Sequence, residues 1–380
     1  MSDVEPARTP SLVTRAQALD YRVAAHHLER PADDPMRDGV LLAGVQDYPP
    51  GRTASIALRV RGATVDPERL ALVHSLRAAP HLHRVADLPC LAAALRLDEV
   101  SDLAAESFGP FGQAMIDQHI GFADAVDQVA EAMRAVSADG QPRTKGELST
   151  ALTERVDARL RPWCPGCAAH HVQDALFRYA TLRAGLCIAV PATGPFHYVS
   201  RPADRSRADP QHCRRALVRR FLRLCGPARP EHLAKWLALT PAAAQGLWHP
   251  LSDQLSAVTV EGRRRWMHHE DLAELRAAPA ATEVRLLPPY DPLCELADRE
   301  LVLPDRVHRR AVWRAASNPG VLIVRGEIAG IWRQRATTRR LTITIQPFRT
   351  ITAAERRAAL DQAEALNEPA GLAVETQFAP

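Results

Sequence analysis

Between Thr144 and Leu272 the chain runs twice through one order of elements, short amphipathic helices followed by a tight hairpin. A repeat of that kind narrows the fold to helix-and-wing modules. In the first pass, Thr144-Lys-Gly-Glu147 has capping-box spacing and predicts a helix to about residue 156. Val172, Leu176, Tyr179, Ala180 and Leu182 then recur at helical spacing over 171–184, before Gly185 supplies a left-handed stop. Residues 186–190 and 196–200 are β-type runs joined by a Gly-Pro turn. In the second pass, helices are predicted over 215–224 and 230–239. A third runs from Thr240-Pro241, an N-cap with a first-turn proline, to Trp248. The hairpin that follows pairs 255–260 with 263–268 around Glu261-Gly262. Its second strand opens on Arg263, Arg264 and Arg265, where a wing meets phosphates, so double-stranded DNA is the expected partner. The same shape also serves as a packing module in proteins that never touch nucleic acid.

Composition bounds the classes. The chain has 380 residues, 46% of them hydrophobic, which suits an ordinary globular protein of two to four domains. Its formal charge of +4 does not by itself demand a polyanion. Lys145 and Lys235 are its only lysines, so the basic set is almost entirely arginine, suited to bidentate phosphate contacts and also expected of an arginine-biased genome. A polar start and no long apolar run point to a cytoplasmic, nucleoid-associated protein without a membrane span, expected as a monomer. Seven cysteines in such a chain predict reduced thiols. Cys164-Pro-Gly-Cys167 with His170 and His171 has the spacing of half a zinc site. His212 or Cys213 would complete it only if the fold brought them close; otherwise the segment is a redox-silent loop and the protein needs no cofactor.

The expected organisation is α+β, with about three tandem winged helices and a β-rich C-terminal domain. Residues 1–137 form a first winged-helix-like block, 138–202 the second, 203–280 the third and 281–380 the last. In the first block, Thr14-Arg-Ala-Gln17 caps a helix to about Leu28, and a loop with Pro31, Asp33, Asp34 and Pro35 leads to an apolar stretch over 40–45. Asp66-Pro67 predicts a helix across Leu70, Leu72, Val73 and Leu76, and residues 91–136 read as helical with a break at Gly109-Pro110. Linkers are expected at 137–142 and 201–210. After Pro279 the period turns to strands over 282–287, 321–324, 328–334 and 341–346, with a turn at Arg325-Gly326-Glu327. Thr352-Ala-Ala-Glu355 caps a last helix, and 372–378 returns as an edge strand.

Chemistry concentrates at Gln46, Asp47 and Tyr48, where an amide, a carboxylate and a phenol follow an apolar run and precede Pro49-Pro50. A carboxylate can orient or deprotonate water while an amide holds the same water with one donor and one acceptor. The alternative is that Gln46 and Asp47 cap the turn. Arg77-Ala-Ala-Pro-His81-Leu-His83 places two imidazoles on one side of an extended segment, for phosphate, metal or proton transfer, or for a structural role. Asp291, between prolines, reads as a turn residue.

These segments resemble the winged-helix family that contains the AlkZ and YcaQ (AlkX) type bacterial DNA glycosylases. The resemblance is carried by Gly44-Val-Gln-Asp-Tyr48, Leu76-Arg-Ala-Ala-Pro-His-Leu-His83 and residues 217–237. It continues through Thr282-Glu-Val-Arg-Leu-Leu-Pro-Pro-Tyr-Asp-Pro292 and Gly326-Glu-Ile-Ala-Gly-Ile-Trp-Arg333, covering nearly the whole chain. It implies tandem winged helices forming a concave DNA surface and a C-terminal β-rich domain. The candidate DNA contacts on it are Arg263, Arg264 and Arg265, from their wing position, with Arg77, His81 and His83. It also implies a Gln-x-Gln or Gln-x-Asp pair that positions water against C1′ of an alkylated nucleotide. This chain departs from that spacing: with Gln46 first the third position is Tyr48, with Gln46 last the first is Gly44, and Asp47 is adjacent. Adjacent strand residues face opposite sides, so Gln46 and Asp47 share one water only across a local turn. The implied reaction is monofunctional release of N7- or N3-alkylated purines, bulky ones included. The implied roles are Gln46 as water holder and Asp47 as base or charge stabiliser. The alternatives are a winged-helix DNA-binding protein or regulator without catalysis, and an interaction scaffold.

Overall fold

The computed structural model describes residues 11–29, 39–64, 66–201, 208–366 and 372–379. The expected loop at Pro31 to Pro35 and most of the 201–210 linker lie outside them.

Local signals set most of the helix starts. Thr14 accepts from the Gln17 amide at 3.1 Å and Gln17 returns to the Thr14 amide at 3.0 Å, opening the helix Arg15–Ala25. The reciprocal bonds at Thr144/Glu147 and Thr352/Glu355 open Lys145–Leu152 and Ala353–Ala365. The first of these stops at Leu152, one turn short of the predicted end.

In the first block the sequence expectation fails at Asp66-Pro67. A single 3-10 turn, Pro67–Arg69, gives way to the strand Leu70–His74, every residue of which is buried. The cause is burial on both faces. Leu72 packs into the large central core, Ala71 and Val73 pack against Cys187, and Leu70 joins a further cluster. A strand buried on both sides carries a continuous apolar run that mimics a helical face. This strand and Val45–Gln46 flank Pro80–Arg84 in a three-stranded antiparallel sheet. The stretch 91–136 also divides differently, into Leu88–Ala94, Gly109–Asp117 and Phe122–Val136. Gly109-Pro110 begins a helix instead of breaking one, with the proline in the first turn where its missing N–H costs nothing.

The two helix-then-hairpin passes are present. Asp174–Ala184 ends at Gly185 with φ +78°, and Leu186–Ala189 pairs antiparallel with His197–Ser200. Pro210–Cys225, Pro230–Leu237 and Pro241–Trp248 are followed by Leu255–Val260 paired with Arg263–His268. Ser11–Val13 adds a parallel third strand to that last hairpin. One contiguous apolar core runs from Val23 through Phe122, Phe177 and Phe221 to Ile328, so the passes are packed together and not strung out.

The expectation of reduced thiols throughout is overturned by a Cys90–Cys213 disulfide with Cα atoms 5.2 Å apart, which ties Leu88–Ala94 to Pro210–Cys225. The other five cysteines are free.

The C-terminal region is a five-stranded sheet, Val284–Leu287, Gly320–Val324, Glu327–Ala336, Arg340–Pro347 and Ala373–Phe378, paired in that order. The first four run antiparallel and the edge strand parallel. Arg325 and Gly326, at φ +49° and +77°, make the tight turn the sequence predicts. Asp291 is more than a turn residue: it is fully buried and grips Arg61 in a bidentate pair at 2.7 and 2.8 Å, anchoring this region to the first block. Among the described residues no helix is long and apolar enough to cross a membrane.

Candidate active site

Gly44 sets the approach to the site. Its φ is +86°, and a Cβ there would stand 2.2 Å from the His83 ring, so only glycine lets the chain lie against that imidazole. The chain then enters Val45–Gln46, where Gln46 pairs with His81 in the neighbouring strand. Gln46 is 9% exposed, and its Oε1 accepts a 2.8 Å hydrogen bond from Arg77 Nη2. The same guanidinium donates to Glu295 Oε2 at 2.7 Å and to the Trp236 carbonyl at 2.6 Å. Arg77 and Ala78 both sit at positive φ, an unusual conformation for non-glycine residues that over-determined packing sustains. Arg77, expected to contact DNA, therefore spends these donors on positioning Gln46.

Asp47 has the opposite fate. Its carboxylate accepts from the backbone amides of Gly51, Arg52, Thr53 and Ala54 at 2.6 to 3.0 Å, capping the helix Ala54–Val60. With its lone pairs committed to four amides and its side chain buried, it is not positioned to deprotonate water. The capping alternative is the one the structure adopts for Asp47. Asp47→Ala is expected to lower unfolding free energy by roughly 2 kcal/mol and Asp47→Asn by less, read from urea denaturation.

Tyr48 is half exposed, and its ring meets Tyr290 edge-on at 5.6 Å. His81 and His83 share one side of their strand as the alternation predicts, with rings 6.0 Å apart, but both are 2% exposed. Burial, helped by the Arg77 charge, holds His81 well below the usual histidine range. Burial lowers His83 to about 4 despite the opposing charge of Asp87. His83 Nε2 lies 2.8 Å from the Ser75 hydroxyl, and His81 Nδ1 lies 2.9 Å from the Ala79 carbonyl. They are neutral supports behind the site and not phosphate ligands.

The wing arginines divide. Arg263 and Arg264 are exposed, and Arg264 lies over the Trp266 ring. Arg265 is 5% exposed and donates to Asp298 at 2.6 Å, so the expectation that it meets phosphate is withdrawn. Arg263 borders a cleft of about 720 Å³ that also gathers Arg229, Lys235, Arg299, Arg306 and Arg310. Gln46, Arg77 and Glu295 line a separate small cavity of about 20 Å³ with His81 and Tyr290, and residues next to it reach the cleft. Lys235 lines the cleft, and the Trp236 carbonyl holds Arg77. Arg299 lines it too, and its charge acts on Glu295 and Arg77.

With this geometry in place, comparison with known proteins is decisive: the family described as "DNA glycosylase AlkZ-like" matches residues 42–368. The chain belongs to the AlkZ-like family. The Streptomyces sahachiroi protein named "Interstrand DNA cross-link repair glycosylase" is 28% identical over 224 residues, covering 54% of this chain and 57% of that protein. The chain thus matches a little over half the length of that relative. The solved structure "Streptomyces sahachiroi DNA glycosylase AlkZ" superposes with a TM-score of 0.73 at 21% identity, covering 97% of this chain and 100% of that one. That likeness establishes a shared fold.

Against the AlkZ-like background, Glu295 is the residue the sequence hides. Its one local signal is its place four residues after Asp291, where its amide bonds back to the Asp291 carbonyl at 3.1 Å. Its partner Arg77 lies 218 residues away. Of the cysteine-histidine segment, Cys164, Cys167 and His171 come together. His170 turns to the Arg161 carbonyl and the Trp163 ring, and Cys213 is locked in its disulfide.

Proposed function

We propose that this AlkZ-like protein is a monofunctional DNA glycosylase that releases N7- or N3-alkylated purines, bulky adducts included, by water attack at C1′. Its two helix-and-hairpin passes serve as winged helices that hold the duplex. The observation that carries this reading is the Gln46–Arg77–Glu295 array, which lines a small cavity. An alkylated purine of this kind is already cationic and leaves without a general acid, so the protein has only to position water and stabilise an oxocarbenium-like sugar. With Oε1 engaged by Arg77, the Gln46 amide is fixed in orientation, leaving its N–H donors and a second Oε1 lone pair for water. Glu295 presents carboxylate charge on the same guanidinium, toward the positive charge that grows at C1′. Tyr48, a donor and acceptor at the third motif position, stands where the relatives' second motif residue would, and Asp47 acts only as a cap.

The test is an oligonucleotide carrying N7-alkylguanine, scored for alkali-labile abasic sites. Gln46→Ala is expected to slow single-turnover release by about 100-fold while leaving DNA affinity unchanged. Equal turnover would remove the assignment. Borohydride trapping of a covalent complex would overturn the monofunctional part.

A second reading, a DNA-binding protein without catalysis, is favoured by one observation: Asp47 is committed to capping and the third position is a phenol. Salt-dependent duplex binding with no abasic product across several adducts would select it. Salt-independent or absent binding would favour an interaction scaffold.

A further inference from the structure

We propose that Cys164, Cys167 and His171 form a zinc site, with the fourth coordination position taken by solvent or an exogenous ligand. The ligand atoms of the three side chains already lie within 4.8 Å of one another. A tetrahedral zinc with sulfur and nitrogen ligands at about 2.3 and 2.0 Å needs separations of roughly 3.5 to 4 Å, a small contraction from there. Both thiols are free.

The backbone is arranged for this. Trp163–Cys164 pairs with Ala169–His170, and the intervening turn is closed by the Cys167 amide on the Cys164 carbonyl at 3.2 Å. Ala168 takes a left-handed φ of +48° that turns the chain back. The histidine is set for ligation as well. Its Nδ1 lies 2.8 Å from the Val172 carbonyl, which fixes the proton there and leaves the lone pair on Nε2. Nε2 is shielded from solvent and makes no hydrogen bond to nitrogen or oxygen among the described residues. A carbonyl behind the ring and a lone pair turned to two sulfurs, with the Cys164 thiol in hydrogen-bonding contact with His171, is the arrangement a metal-bound histidine adopts.

The site also answers a need of the fold. No residue from 163 to 171 belongs to an apolar cluster, and each strand of this hairpin has two residues. A hairpin that short does not hold itself together in water. A metal closing it would fix the entry to Asp174–Ala184, which begins immediately beyond at the Gln173 cap.

The experiment uses the full chain, reduced, equilibrated with zinc chloride and desalted. Elemental analysis is expected to find about one zinc per chain. Cobalt in its place is expected to give sulfur-to-metal charge transfer and intense tetrahedral visible bands. Cys164→Ser, Cys167→Ser and His171→Ala should each weaken retention by about tenfold or more, whereas His171→Cys keeps three protein ligands, now all thiolates, and retains the metal. The His171→Cys rescue separates lost ligation from lost folding, and circular dichroism of each variant checks the latter. Reduced wild-type protein that retains no zinc overturns the proposal. So does undiminished retention in the single variants, or a Cys164–Cys167 disulfide that forms in place of metal binding after reduction.

Discussion

Asp298→Ala is expected to destabilise the protein by about 3–5 kcal/mol, a large share of the stability of an ordinary domain. Arg22 is fully buried and holds both Asp298 oxygens at 2.9 and 3.0 Å, while Arg265 reaches the same carboxylate at 2.6 Å. Burial pushes the Asp298 carboxyl upward, but the Arg22 charge and hydrogen bonds, then His232 and Arg265, keep it below its usual range. Removing it leaves the fully buried Arg22 guanidinium, and Arg265 beside it at the wall of the cleft, without their anion. Arg22 would keep its bonds to the Cys225, Gly226 and Pro227 carbonyls, so most of the cost falls on uncompensated charge. Urea denaturation of Asp298→Ala checks this, and a loss under 1 kcal/mol would show that the pairing is incidental. Asp298→Asn should recover part of the loss, because it keeps an acceptor for one of the two arginines.

Mild acid is expected to be the second large perturbation. His26, His74, His81 and His83 are all buried polar residues of the first block. Burial lowers His26 to about 3, aided by Arg61, and His74 to about 3, aided by Arg178. His81 and His83 are lowered as described above. The unfolded chain binds protons at these histidines near pH 6.5, whereas the folded chain excludes them until the pH reaches its depressed values. Stability is therefore full above about pH 6.5 and falls as pH drops toward 4, by up to about 1.4 kcal/mol per pH unit for each histidine. The four together approach about 5 kcal/mol per pH unit. Unfolding free energies measured at pH 7.5, 6 and 5, values chosen around the reference pKa of about 6.5, should show this slope. A flat profile would contradict it. His83→Gln should reduce the slope by one proton, since the amide cannot titrate.

What was legible in the sequence has a common physical character. The three capping boxes, the stop at Gly185, the Thr240-Pro241 start and the Glu261-Gly262 and Arg325-Gly326 turns are settled by groups within a few residues of one another. Hydrophobic period located the C-terminal strands for the same reason. Period failed at Leu70–His74, because burial on two faces erases the alternation that marks a half-buried strand.

At the candidate site, the sequence singled out Gln46, Asp47 and Tyr48 but could not assign their partners. Chemistry alone made Asp47 the base, and four backbone amides made it a cap. Three consecutive arginines read alike along the chain, yet strand alternation put Arg264 on the side of Trp266 and placed Arg263 and Arg265 together along the cleft, where Asp298 holds Arg265. By itself, then, the sequence determined most of the helix starts, the tight turns, the family and the residue types available for chemistry, because those follow from short-range bonding and pattern. Only the tertiary structure decided which of those residues act together. Arg77 with Glu295, Arg22 with Asp298 and Cys90 with Cys213 meet across 218, 276 and 123 residues, through a packed core that no local signal encodes.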